Sequence, residues 1–335
     1  MTEDHEKDQE PSSQAARSSE AEGLRGESRP RDGSAQEQLQ GEGGEAPGVP
    51  NPPADTPVAF PPQTPLFHAQ HAERYSRQDL IRSYEERLDC SLIAMVDVIF
   101  PESVTFFEEL VAGADPSRNL HLLLDSPGGD GETAVRIVRA AQARCRELTV
   151  IVPNQAKSAG TLLLIGAHHI LMGPTSDLGP VDPQFPSPEG TGLYSAKDLI
   201  AAVDQAEAAI AANPESYPLH VSLLSNVTAV MVQQARSALG RTEDLVKEAL
   251  GSNPDRTDDE VQEIAQALKE SLIDLPLDHG AVFGASDARK AGLPVIDADP
   301  LSDQWQIIWR LWAKYFALNA FVYEGRLASQ VSPRS

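Results

Sequence analysis

Cysteine is nearly absent from this 335-residue chain. Cys90 and Cys145 are too few for a disulfide framework and form no paired metal motif, so a reducing compartment fits best. Basic side chains are also scarce. Fifty Asp and Glu stand against 27 Lys and Arg, a net charge of −23, which argues against a phosphate-binding surface and against nucleic acid as a partner. No run of about eighteen apolar residues occurs, so no integral membrane segment is expected. The N-terminus, MTEDHEKDQE, has neither the basic start nor the apolar core of a signal peptide, and the expected location is cytoplasmic. His68 and His71 lack further ligands nearby, and His168 and His169 fall on opposite faces of a strand, so neither a metal nor a cofactor is expected.

What is present is unevenly placed. Residues 1–60 hold 13 acidic and 5 basic side chains, net −8, with much Gly, Pro, Ser and Gln and almost no large apolar residue. Such a segment cannot bury enough surface to offset its ordering entropy, and it reads as a disordered acidic tail. The remaining −15 is spread over 275 residues. Residues 61–73 read as a linker and 74–300 as one domain. In ERYSRQDLIRSYEERLD, Tyr75, Leu80, Tyr84 and Leu88 lie near one helical stripe. Residues 90–97 (CSLIAMVD), 119–125 (NLHLLLD), 148–153 (LTVIVP) and HHILMG read as strands, separated by the helical stretches VTFFEELVAGA, GETAVRIVRAAQARCREL and TLLLIGA. This alternation is that of a parallel sheet with crossover helices. A turn-rich loop then leads to a helical insertion over about 197–270, read as an arm over the site. A short strand follows at 293–297, then an aromatic helix over 301–323 and a second disordered tail over 324–335.

Two glycine-bearing turns follow successive strands, at the edge where α/β folds place their sites. The first is SPGGDGE, residues 126–132. Pro127 fixes the entry of the chain, while Gly128 and Gly129 open conformations closed to other residues and let amide N–H groups approach a ligand. No Gly-Lys-Ser/Thr follows, so this is not a phosphate-binding loop. The second is NQAKSAGTLLLIG, residues 154–166, where Ser158 precedes an apolar helix whose free N–H groups favour developing negative charge. A serine there is by itself an ordinary N-cap. The pairing of the turns gives it another meaning, because the Gly129 and Ala159 amides would form an oxyanion hole beside its hydroxyl. That constellation points to acyl transfer.

SPGG, then KSAGT, then MGPTSDLGPVDPQ, in that order, resemble the ClpP/crotonase superfamily and its peptidases. RYSRQDLIRSYEERLDCSLIAMV and DLGPVDPQ are most similar to the serine dehydrogenase proteinase family, relatives of ClpP, signal peptide peptidase A and the NfeD-type membrane proteases. The resemblance covers roughly residues 74–296. It implies an α/β fold, a ClpP/crotonase-like spiral of β-β-α units with a mainly parallel sheet, a helical arm and a C-terminal helix. It also implies a serine peptidase acting on a protein or peptide substrate as a homo-oligomer. Residue by residue, Ser158 matches the nucleophile, Gly128 and Gly129 match the oxyanion turn, and Ala159 supplies the second amide.

A serine hydroxyl becomes an effective nucleophile when a group within hydrogen-bond reach takes its proton. Where ClpP carries its histidine, this chain reads VDPQF. The Ser-Lys dyads of signal peptide peptidase A and NfeD-type proteases place a lysine farther on, at a helix start. Lys197, 39 residues beyond Ser158, matches that place and is the only lysine between Lys157 and Lys247. A base lysine must be desolvated, and Asp198 beside it favours the ammonium form. The serine dehydrogenase proteinase family instead implies a Ser, Asp, His order, met by Ser158, an acid such as Asp182, and His279. Lys197 and His279 both stand as candidate bases. Lys157 is a poor one, because adjacent side chains diverge.

Trp305, Trp309, Trp312 and Phe316 form an aromatic stripe at helical spacing, expected to pack on the domain or on a second subunit. Two other readings share the same turns. One is a non-catalytic scaffold that binds partners through the tail and the aromatic helix. The other is an acyl-CoA thioester enzyme of the crotonase branch, which has no need of a serine in the KSAGT position.

Overall fold

The computed structural model describes residues 64–186, 192–274, 282–326 and 329–333. The acidic segment 1–60 and His279 lie outside them. Helices α1 (Pro65–Gln70) and α2 (Ala72–Leu88) lead to strand β1 (Cys90–Val96), helix α3 (Ser103–Val111), strand β2 (Asn119–Asp125), helix α4 (Gly131–Gln142) and strand β3 (Leu148–Val152). A two-residue strand β4 (Gln155–Ala156) precedes helix α5 (Ala159–Ile165) and strand β5 (His169–Met172). Short strands β6 (Asp177–Leu178), β7 (Gln184–Pro186) and β8 (Leu193–Ser195) come next. The arm consists of helices α6 (Ala196–Ala212), α7 (Tyr217–Leu223), α8 (Ala229–Leu250) and α9 (Asp258–Leu268), ending in a π-helical turn, Lys269–Asp274. Helix α10 (Ala285–Lys290), strand β9 (Val295–Asp297), helix α11 (Asp303–Leu318) and strands β10 (Ala320–Glu324) and β11 (Ser329–Pro333) complete the described chain.

The main sheet runs in the order β11-β10-β1-β2-β3-β5-β9. Strands β1, β2, β3, β5 and β9 are mutually parallel, and β10 is antiparallel to β1. Successive residues of these strands feed opposite cores. Ile93, Leu122 and Val150 pack with α3, α4, α5 and α8, while Leu92, Leu123 and Ile151 pack with α2 and α11. Burial on both faces explains why the strands read as unbroken apolar runs. Each such side chain, fully buried, contributes about 1.5–3 kcal/mol. The register pairs Val96 with Asp125 and Val152 with Met172, so the carboxyl ends of the parallel strands share one edge. Among the described residues, no helix is long and apolar enough to cross a membrane.

Three segments differ from the sequence expectation. Within the expected linker, residues 65–70 are helical, started by Pro65 and capped by Thr64, whose Oγ1 accepts the Phe67 N–H at 3.2 Å. The aromatic helix ends before residue 323. Asn319, at φ +46°, reverses the chain, and the β-branched and aromatic run Ala320–Glu324 pairs with β1 instead. Residues 329–333, expected in a tail, pair with β10, Val322 opposite Val331.

Strand β10 brings a buried charge with it. Arg77 of α2 donates from Nε to Glu324 Oε2 at 2.7 Å, with the two side chains 5% and 0% exposed. Gln78 Nε2 donates to the same carboxylate at 3.1 Å, and the Arg77 guanidinium lies 5.8 Å from the Tyr315 ring centroid. Removing one partner strands the other charge in a dry layer. Arg77→Ala is therefore expected to cost about 3–5 kcal/mol in urea denaturation, whereas the paired Arg77→Met, Glu324→Leu variant should regain most of it. Equal losses for the two variants would contradict this account.

Candidate active site

The site is assembled where the chain leaves β2 and β3. The two departing segments stay paired: Ser126 N–H donates to Gln155 O at 3.0 Å and Lys157 N–H donates to Ser126 O at 2.9 Å. On its far side the first turn is held by the loop after β1. Ile99 N–H donates to Gly128 O at 2.8 Å and Asp130 N–H donates to Ile99 O at 2.7 Å. Gly128 and Gly129 sit at φ +113° and +135°. A β-carbon on Gly129 would overlap the Ile99 carbonyl, and one on Gly128 would lie 2.7 Å from Ser158 Cβ, so glycine is required by space as well as by dihedral.

Ser158 stands at φ +48°, ψ −114°, immediately before α5. It holds the N-cap position, yet its side chain accepts no N–H from the helix, so the ordinary capping role is not the one it fills. Among the described residues its hydroxyl has no hydrogen-bond partner, and neither the Gly129 nor the Ala159 N–H has an acceptor. Ser158, Ala159, Gly128, Gly129 and Asp182 line one cavity of about 550 Å³, with Leu162 and Leu245 in its apolar wall. The structure thus brings together Ser158, both turn glycines and Ala159. Strand pairing through β4 and β6 supports the floor, where Thr161 Oγ1 donates to Ala156 O at 2.8 Å.

Of the two candidate bases, Lys197 lies among the described residues and His279 does not. Lys197 lies in the first turn of α6, capped by Ser195, and its Nζ donates to Ile273 O at 3.2 Å. It is absent from the described cavity lining, whose ionisable side chains are Asp130 and Asp182. Lys157 turns away along β6, paired with Asp177 and donating to Leu178 O at 3.2 Å. Asp182 is 6% exposed. His279 belongs to the undescribed segment 275–281, but both flanks are anchored beside the site. Val181 N–H donates to Leu272 O at 3.0 Å, and Phe283 exchanges hydrogen bonds of 3.0 and 3.2 Å with Leu178. The Ile99 brace escaped the sequence reading, whereas the wall from α8 belongs to the helical insertion expected as an arm over the site.

A family model described as ClpP-like SDH-type serine proteinase matches residues 107–302. Two uncharacterized proteins of Methanocaldococcus jannaschii are similar. One is 28% identical over 185 residues, 55% of this chain and 56% of the relative. The other is 28% identical over 149 residues, 44% of each. The chain spans about half the length of the curated relatives it matches. Among solved structures, a mutant of the 1510-N membrane-bound stomatin-specific protease is similar at TM-score 0.38 and 16% identity, covering 61% of this chain and 77% of that one. Another mutant of that protease, in complex with a substrate peptide, gives 0.39 and 16%, covering 62% and 74%.

The close approach at Ile99 yields a test. Gly129→Ala must push the turn off Ile99 and is expected to destabilise the protein by about 1–3 kcal/mol. Thermal denaturation reads the loss, and faster hydrogen exchange at the Ile99 and Asp130 amides locates it. A variant with unchanged melting and exchange would refute the contact.

Proposed function

The chain belongs to the ClpP-like SDH-type serine proteinase family, and from that premise we propose that it is a serine peptidase with Ser158 as nucleophile. The reading rests on one observation: an uncapped serine hydroxyl at positive φ beside two amides without acceptors, all facing one cavity. In this reading Ser158 Oγ attacks the scissile carbonyl and its proton passes to the general base. The carbonyl oxygen, now negative, takes hydrogen bonds from the Gly129 and Ala159 N–H groups. The base returns the proton to the leaving amine, and water then hydrolyses the acyl-enzyme. The base is Lys197 or His279. The burial of Asp182 in the cavity beside Ser158 favours the second, because a carboxylate there would orient an imidazole. Self-association belongs to the same proposal, supported by the exposed Leu219 and Leu223 at the tip of the arm.

A fluorophosphonate probe and a peptide substrate test the reading together. Wild type should be labelled, and Ser158→Ala should lose labelling and on the order of 10⁶-fold in kcat, as should whichever of Lys197→Ala and His279→Ala removes the base. An unlabelled wild type would sink the proposal. For self-association, Leu219→Asp with Leu223→Asp should shift the sedimenting species to a smaller one; no shift would remove the arm tip from the interface.

A further inference from the structure

Asp125 is the last residue of β2, directly before the Ser-Pro-Gly-Gly turn. Its carboxylate joins three elements. Oδ1 accepts the Asn154 side-chain N–H at 3.2 Å, and Oδ2 accepts the Trp312 Nε1–H at 2.7 Å. Asn154 opens the turn that carries Ser158, and its carbonyl accepts the Asp177 N–H at 2.9 Å. Trp312 comes from α11, across the sheet, where its ring is set between Trp309 and Phe316 at centroid distances of 4.8 and 5.5 Å. The main chain of Asp125 is tied as well, its carbonyl accepting the Asp97 N–H at 3.1 Å.

We propose that Asp125 is a positioning residue: anchored by Trp312, its carboxylate grips Asn154 and so sets the spacing between the Gly129 amide and the Ser158 hydroxyl. The inference rests on the reading of Ser158 as nucleophile. The glycines carry no side chains to pin them; the backbone of the turn is held by Ile99 and by the pairing of Ser126 with Gln155 and Lys157, and Asp125 adds a side-chain tie directly before it. A carboxylate suits the task, because it accepts from two donors at once and makes stronger hydrogen bonds than a neutral acceptor. An amide in its place must turn an N–H toward one of the two donors. The consequence is kinetic, since misplacing reacting groups by about 1 Å costs on the order of 10²-fold in rate.

The test compares Asp125→Asn, Trp312→Phe and the double variant with wild type, using a peptide substrate below the melting temperature of each protein. Asp125→Asn should lower kcat by on the order of 10²-fold with KM changed less than about twofold. Trp312→Phe, which keeps a ring but loses the N–H, should act in the same direction, and the double variant should be no worse than Asp125→Asn alone. Hydrogen exchange at the Ser126 and Lys157 amides, read on the same samples without any substrate, should quicken in each variant. Unchanged kcat in Asp125→Asn, or kcat loss accounted for by unfolded protein, would overturn the proposal, as would exchange at wild-type rates. A wild type inert toward the fluorophosphonate would fail the peptidase reading instead, and the exchange rates would then decide the link between the turns alone.

Discussion

Two backbone hydrogen bonds, Ser126 to Gln155 and Lys157 to Ser126, carry the pairing of β2 and β3 past the end of the sheet. Parallel neighbours leave a sheet at the same edge, so their turns travel together instead of splaying apart. That proximity limits the side chains either turn can carry. A β-carbon at Gly160 would lie 3.3 Å from Ser126 Cβ, and one at Gly128 would meet Ser158, so small residues are forced on both turns. The positive φ of Ser158, a strain of about 1–3 kcal/mol, is sustained by the same pairing. Lys157 N–H is committed to Ser126 on one side of it, and Gly160 N–H to Lys157 O at 2.7 Å on the other. The serine cannot relax into an ordinary helical cap without breaking one of them.

The sheet can hold such strain because both its faces are covered and its charges are matched. Arg77 and Glu324 are deep in the layer between α2, α11 and the sheet, where each is tolerable only with the other. Near the site the cations are likewise committed, Lys157 to Asp177 and Arg241 to Glu132 and Glu248. Asp130, on the cavity rim, spends its carboxylate on the Thr133 N–H at 2.8 Å. On the proposed reading this leaves stabilisation of negative charge to backbone dipoles, which need no counter-ion and no reorganisation.

Local signals were legible in the sequence; contacts between distant residues were not. Residues 119–125 and 148–152 read as strands because both faces are apolar, and the two glycine turns read as a site because each follows such a run. In α2 the expected stripe was Tyr75, Leu80, Tyr84 and Leu88, whereas the buried positions are Arg77, Ile81, Tyr84 and Glu85. Hydrophobic periodicity discounts Arg77 and Glu85, whose partners Glu324 and the Leu92 N–H lie on other elements. The aromatic stripe of α11 is met in part, Trp305 and Trp312 packing on the domain. Trp309 and Phe316 are 40% and 68% exposed, and the core face is Trp305, Ile308, Leu311 and Tyr315, one step around the helix. Chain distance pointed to Lys197, and the fold adds that its amine donates to the Ile273 carbonyl, a contact no local signal announces.

The arm shows how the cavity keeps its shape. Leu245 of α8 and Leu162 of α5 close over Gly131, where a β-carbon would lie 3.1 and 3.0 Å from their methyl groups. On the solvent side, Arg241 grips Glu132 of α4 through two hydrogen bonds of 2.6 and 2.7 Å and holds its carboxyl below the usual carboxylate range. Exposed pairs of this kind contribute about 0–1 kcal/mol each and weaken with salt, so they orient α8 more than they hold it. The holding comes from Leu245, Val246, Ala249 and Leu250, which join the same core as β2 and β3. The wall over Ser158 is therefore a part of the core turned outward, and changing the cavity's apolar side means repacking the contacts that keep α8 in place.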